Sequence, residues 1–166
     1  MLVKELEDKR AIDPLIKTLL DEDIDIRRKA MYALSCIADN SVTDVLINQL
    51  SSEDWYMRHW ATPGLGEIRS RKAVEPLIRA LTDVDEGVRM AVANALGYIR
   101  DRNAVDALIQ SLLDEAWSVR SSSALALGYM GDKRAVSPLR LLLSDDNDSV
   151  RESAYDALNQ IEQLYK

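Results

Sequence analysis

Apolar and polar positions along the chain repeat every 31 residues. Leu15, Leu46, Leu77, Leu108 and Leu139 form one apolar column, and Leu19, Leu50, Leu81, Leu112 and Leu143 form a second. Leu34, Leu65, Leu96, Leu127 and Leu158 form a third; Ile37, Ile68, Ile99, Met130 and Ile161 form a fourth. Within one unit the spacing is helical. Ala73, Val74, Leu77, Ile78 and Leu81 fall on one helical face. Pro76 lies in the first turn of that helix, where its missing N–H has no intrahelical partner to lose. Val88, Val92, Ala95, Leu96 and Ile99 make the apolar face of a second helix. Between the two, Thr82 to Asp85 supplies a polar turn with capping side chains.

Five copies of this helical hairpin are expected, at 8–38, 39–69, 70–100, 101–131 and 132–166. Residues 1–7 read as a half-repeat, because Val3 and Leu6 stand 31 positions before Leu34 and Ile37. Neither helix of a hairpin hides its apolar stripe alone, so neighbouring copies must stack. The pattern predicts an all-α fold, a single α-solenoid domain over 1–166. Gly66, Gly97 and Gly128 recur inside the second helices. A helical glycine loses up to ~1 kcal/mol relative to alanine, so close backbone approach, or a helix end, is expected there. Arg140, Asn159 and Gln160 break the apolar pattern of the last copy, and with the polar tail they read as a C-terminal cap. At the other end Ile12, Leu15, Ile16, Leu19 and Leu20 have only Met1 to Leu6 in front of them. That half-helix either suffices or meets another chain, which makes self-association through this end a candidate.

Composition narrows the function classes. The net charge is −7 and the pI about 4.8, against the basic stripe that tracks nucleic acid phosphates. A single cysteine, Cys36, excludes an intrachain disulfide framework and fits a reducing compartment. No run approaches the ~20 apolar residues needed to span a bilayer, and MLVKELEDKR lacks a signal-peptide core. A cytoplasmic protein with neither nucleic-acid nor membrane partner is the expectation. The chemistry is sparse: one histidine, His59, and Cys36 are too few for a zinc site. There is no glycine-rich phosphate loop and no nucleophile elbow. Asp145, Asp146, Asn147 and Asp148 lack the spacing of a known calcium loop. No catalytic group, metal or cofactor is expected.

The units from Arg71 to Ile99 and from Asp132 to Val150 resemble the HEAT-like repeats named after phycobilisome lyases. The resemblance covers essentially the whole chain and implies a right-handed superhelix. Such repeats serve bilin lyase subunits, iron-dependent hydroxylases, DNA glycosylases and plain adaptors, so it does not decide function. The hydroxylases use several His-Glu pairs, which this sequence lacks. In HEAT-type repeats an Asp six residues before a conspicuous Arg commonly pairs with it. Here that implies a structural ladder of Asp21 with Arg27, Asp83 with Arg89, Asp114 with Arg120 and Asp145 with Arg151; Arg58 has Ser52 instead.

Beside the core stripe of each second helix runs a stripe that differs from copy to copy, expected to line the inner, concave face. Its thirty positions hold seven of the nine aromatic residues, including all three tryptophans. Tyr32, Trp55, Tyr56, His59, Trp60, Met90, Asn94, Tyr98, Trp117 and Tyr129 are the candidate partner-binding residues. Trp and Tyr combine large contact area with a polar handle, as recognition sites require; rings that merely fill gaps between helices are the plainer reading. Arg28 and Lys29 at one end, against Asp148, Glu152 and Asp156 at the other, suggest a charge gradient along the groove. Pro63 falls in the middle of the second helix of copy two and predicts a break beside the aromatic cluster. A non-enzymatic scaffold for a protein or peptide is the leading expectation. A bilin- or other small-molecule-handling lyase-type subunit, or a fragment of a longer array, remain alternatives.

Overall fold

The computed structural model describes residues 9–166. The expected half-repeat and the self-association surface around Met1 to Leu6 lie outside the described residues. Those residues form five helical pairs: α1 Ile12–Thr18 with α2 Ile24–Ile37, α3 Thr43–Gln49 with α4 Trp55–Ile68, and α5 Val74–Ala80 with α6 Glu86–Ile99. Two further pairs follow, α7 Val105–Ser111 with α8 Trp117–Met130, and α9 Val136–Leu141 with α10 Asp148–Gln163. Each first helix packs on its own second helix, and the second helices pack on one another from α2 to α10. The result is an α-solenoid, with no strand among the described residues.

Local sequence starts and stops each element. Asp23, Asp54, Asp85 and Asn147 are extended residues whose side chains accept a backbone N–H from the first turn of the second helix that follows. Ala38, Arg69, Arg100 and Gly131 end the second helices in left-handed backbone, with φ of 46°, 54°, 57° and 66°. Only the fourth of these is a glycine.

The apolar columns lie where the period places them. Leu46, Leu77, Leu108 and Leu139, with Leu34, Leu65, Leu96 and Leu127, are fully buried. Glycine at position 97 is explained by close approach and not by a helix end, since α6 continues to Ile99. A Cβ on Gly97 would lie 2.8 Å from the Cα of Ala126 on α8.

Two expectations are corrected. Leu143 leaves its column: it is 42% exposed, and Leu142 takes the buried place. The first helix of the last copy ends in a 3₁₀ turn, Leu142–Ser144, which rotates successive side chains by about 120° in place of 100°. Pro63, in turn, breaks nothing. Helix α4 runs unbroken from Trp55 to Ile68, because the fully buried Thr62 donates its hydroxyl to the His59 carbonyl at 2.8 Å. That is the carbonyl for which a residue 63 with an N–H would be the helical donor.

The arginine ladder exists, but in another register. Arg58 donates two parallel hydrogen bonds to Asp83 (2.6 and 2.9 Å), Arg89 to Asp114 (2.8 and 2.9 Å) and Arg120 to Asp145 (2.9 and 2.8 Å). Each partner belongs to the next copy, 25 residues on. The third guanidinium nitrogen turns back to its own copy and donates to main-chain carbonyls, as Arg89 does to Asp83 at 2.9 Å. The intra-copy carboxylate pairs implied by resemblance are therefore replaced by intra-copy carbonyl contacts and inter-copy ion pairs. Six residues of hairpin turn bring the Asp main chain, not its carboxylate, under the arginine. The carboxylate instead points back toward the preceding copy while accepting the N–H two residues on, as Asp83 does from Asp85. Position 52 would supply Arg27 with its partner and is Ser; among the described residues Arg27 donates its hydrogen bonds to the Asp21 and Glu22 carbonyls. Its neighbour Arg28 bonds Asp54 instead, through two contacts of 2.9 Å. Arg151 pairs with Asp148 on its own helix.

Candidate functional site

The sequence places one variable residue stripe on each second helix, and the stacking of α2, α4, α6, α8 and α10 sets these stripes side by side. Five of the candidate residues meet at one place. Tyr32 of α2 meets Trp60 of α4 edge-on, with ring centroids 4.6 Å apart. Tyr56 lies 5.9 Å from Trp60 and 5.8 Å from Trp55. His59 touches both tryptophans, at 6.3 Å from Trp55 and 5.5 Å from Trp60. The five rings are thus continuous across two helices.

Different contacts hold each ring. His59 Nδ1 lies 3.1 Å from the Gly87 carbonyl oxygen at the start of α6, so Nδ1 carries the proton and the ring bridges copies two and three. Trp60 packs partly on the hydrophobic core, whereas Trp55 is 48% exposed. The Arg28 guanidinium sits 5.2 Å above the Tyr56 ring while bonded to Asp54. The Arg28 hydrogen bond holds the Asp54 carboxyl below the usual range, against the opposing effect of burial. Arg28 is therefore neutralised and does not act as the free cation of the expected charge gradient. A hydrogen bond to Cys36 pushes the Tyr32 phenol up from its ordinary value.

A second aromatic contact lies further along. Tyr98 and Tyr129 stack with centroids 6.3 Å apart and planes 13° from parallel. Arg100 lies 5.9 Å over the Tyr129 ring. Met90 is half-buried and Asn94 exposed on α6, and Trp117 stands apart from both ring groups, 51% exposed. Trp55 and Trp117 each open a second helix and each borders a hollow, of about 610 Å³ and about 230 Å³. Ile24, Arg27 and Glu53 line the first, and Glu115, Arg120 and Asp146 line the second. The ten candidates thus divide into a five-ring cluster, a tyrosine pair, an isolated tryptophan and two non-aromatic residues.

No group of three or more His, Cys, Asp or Glu among the described residues is arranged to hold a metal ion. The Asp145 carboxylate of the acidic turn is committed to Arg120, whose hydrogen bond lowers its pKa to about 2. No helix of the described residues is long and apolar enough to cross a membrane.

One set of contacts went unread in the sequence. A second ion-pair edge runs along the entrances to the first helices. Lys72 bonds Asp44 at 2.5 Å, Arg134 bonds Asp106 at 2.9 Å, and Arg102 and Arg134 converge on the buried Asp132 at 3.3 and 3.0 Å. Opposite charges recurring 28 and 30 residues apart are the signal that marks it.

Models of HEAT repeats match residues 43–128 and 106–164. The chain belongs to the HEAT repeat family. Among solved structures, it is 27% identical to a chain of the CpcE–CpcF complex of phycocyanin lyase from Nostoc sp. PCC7120, with a TM-score of 0.82. That match covers 92% of this chain and 65% of the other, so the HEAT repeats here span about two-thirds of that chain's length. A designed armadillo repeat protein in complex with the peptide (KR)4 shares 20% identity and a TM-score of 0.75, covering 96% of this chain and 85% of that one. Human deoxyhypusine hydroxylase shares 21% identity and a TM-score of 0.60, covering 97% and 77%. At these last two identities the likeness is one of fold. A search of curated proteins returned no match.

Proposed function

We propose that this HEAT-repeat solenoid is a non-catalytic scaffold that holds a segment of a partner protein along the concave face of its second helices. The carrying observation is the continuous run of Tyr32, Trp55, Tyr56, His59 and Trp60 across α2 and α4. The repeat frame does not need these rings, since the corresponding positions of α10 are Asp148, Ser149, Glu152, Ser153 and Asp156. Half-exposed Trp and Tyr anchors, ordered by one another, lose little side-chain freedom on binding and bury much apolar area. With helices ~10 Å apart, the five stripes make a face about 40–50 Å long, enough for a helix or an extended segment.

A library of random peptides displayed on phage, selected against the wild-type protein, tests this reading. Trp55→Ala and Trp117→Ala are the variants of choice, because both rings are half-exposed. Trp60→Ala also removes core packing and mixes binding with stability. Selected peptides should lose about tenfold or more in affinity for the double variant, while its helical circular dichroism and melting stay unchanged. Peptides that bind the variant as well as the wild type would refute the face as the site.

The likeness to a chain of phycocyanin lyase supports a second reading, a lyase-type subunit handling a bilin or similar pigment. Visible absorbance co-purifying with the protein from its native cell would favour it over the scaffold; a colourless protein that binds peptides would reject it.

A further inference from the structure

The charges on the second-helix face are unevenly placed. Over the last three copies the stripe carries Glu86 on α6 and Asp148, Glu152 and Asp156 on α10, and neither lysine nor arginine. Arg100 lies over Tyr129, outside the stripe. The ladder aspartates, by contrast, are bonded to arginines, and Asp132 takes two. Glu86, Glu152 and Asp156 are exposed and enter no ion pair among the described residues. Asp148 alone of the four is paired, with Arg151.

The frame does not ask for these charges. The positions equivalent to Glu152 are Arg28, His59, Met90 and Ser121, and those equivalent to Asp156 are Tyr32, Pro63, Asn94 and Leu125. Glu152 and Asp156 are four residues apart on one helix, where like charges repel and weaken the helix slightly. The adjoining surface of α8 is aromatic and hydroxylic: Trp117 is half-exposed, and Ser121 meets Ser153 of α10 at 2.8 Å. Unpaired carboxylates on α10 and an exposed indole on the neighbouring α8 complement a cationic segment, whose aliphatic stems pack on the ring while its charges meet the acids. A polyanion is repelled by the same surface.

We propose that the partner segment is cationic over this half of the face. Its Lys or Arg side chains lie along Glu152 and Asp156 of α10, reach Glu86 of α6, and pack against Trp117 of α8. This rests on the scaffold reading, to which it adds the chemistry and the polarity of the ligand: apolar contacts over α2 and α4, positive charge over α8 and α10.

The test uses the tryptophan-dependent peptides from the library selection. They should be enriched in Lys and Arg. The affinity of the best one, measured by fluorescence anisotropy, should fall about tenfold in the exposed-surface variant Glu152→Lys/Asp156→Lys and weaken at high salt. A scrambled peptide of the same composition should bind more weakly than the selected one. Tryptophan-dependent peptides that are neutral or acidic, or that ignore the charge reversal, would overturn the inference and leave the scaffold reading standing. A scrambled peptide that binds equally would overturn it as well, reducing the effect to long-range attraction. Absence of any tryptophan-dependent peptide would remove both. Unchanged thermal melting of the reversed variant shows that a lost affinity is not lost folding.

Discussion

Pro63 removes the amide proton that a helix would donate to the His59 carbonyl, and the hydroxyl of Thr62 takes its place at 2.8 Å. The pair explains how a proline sits inside a fourteen-residue helix beside the aromatic cluster without ending it. Thr62 is fully buried, so Thr62→Val, which keeps shape and removes the donor, leaves a carbonyl without its partner. The expected loss is about 1 kcal/mol, measurable by urea denaturation. It should vanish in the Pro63→Ala background, where a backbone N–H is restored. Equal losses in both backgrounds would show that Thr62 acts by packing alone. Residue type alone announces the proline and its penalty. The remedy is a side-chain rotamer, visible only once the helix is built.

Each ladder arginine ties one hairpin turn to the next, so the contact belongs to pairs of elements. Arg89 bonds Asp114 of the following copy and the Asp83 carbonyl of its own. Arg89→Ala strands Asp114, whose side chain is only 13% exposed, and should destabilise the protein by about 3 kcal/mol. Peptide affinity per folded molecule should be unchanged, because Arg89 is buried away from the exposed stripe. The gap in the ladder makes the converse prediction. Position 52 is where Arg27 would find its carboxylate, and Ser52 already accepts the Asp54 N–H there. Ser52→Asp should add a rung between copies one and two and stabilise the protein by about 1 kcal/mol. Its double variant with Arg27→Ala should show no gain. The register of this ladder was not legible in the sequence. The six-residue spacing of Asp and Arg recurs four times in these columns and the twenty-five-residue spacing three times, so only the path of the turn chooses between them.

Over the whole molecule, ion pairs within and between copies couple stability to pH. Arg134 holds Asp132 well below the ordinary aspartate value of 3.8, and Arg120 holds Asp145 at about 2. At Asp83 and Asp114 burial pushes the carboxyl up, and the hydrogen bond from Arg58 or Arg89, the main-chain N–H of Asp85 or Ala116 and the nearby arginine charges together more than offset it. Folded pKa values below the unfolded ones mean that this stabilisation is complete above about pH 4 and is lost as pH falls toward 2. Denaturation midpoints should therefore be flat from neutral pH to about pH 5 and then drop steeply; Asp145→Asn should shallow the drop. A midpoint independent of pH in that range would contradict the ladder. Because copies touch only their neighbours, the sequence by itself determined the helical hairpins, the burial of the leucine columns and the HEAT-repeat solenoid. A 31-residue period that recurs five times leaves few other ways to hide the apolar stripes. Features that join residues from different copies came only from the tertiary structure: the 25-residue register of the ladder, and Arg28 neutralised by Asp54. The gathering of five rings at α2 and α4, with unpaired carboxylates left on α10, is of the same kind. A period fixes which positions are equivalent, whereas the turn of each helix on its neighbour decides which side chains meet.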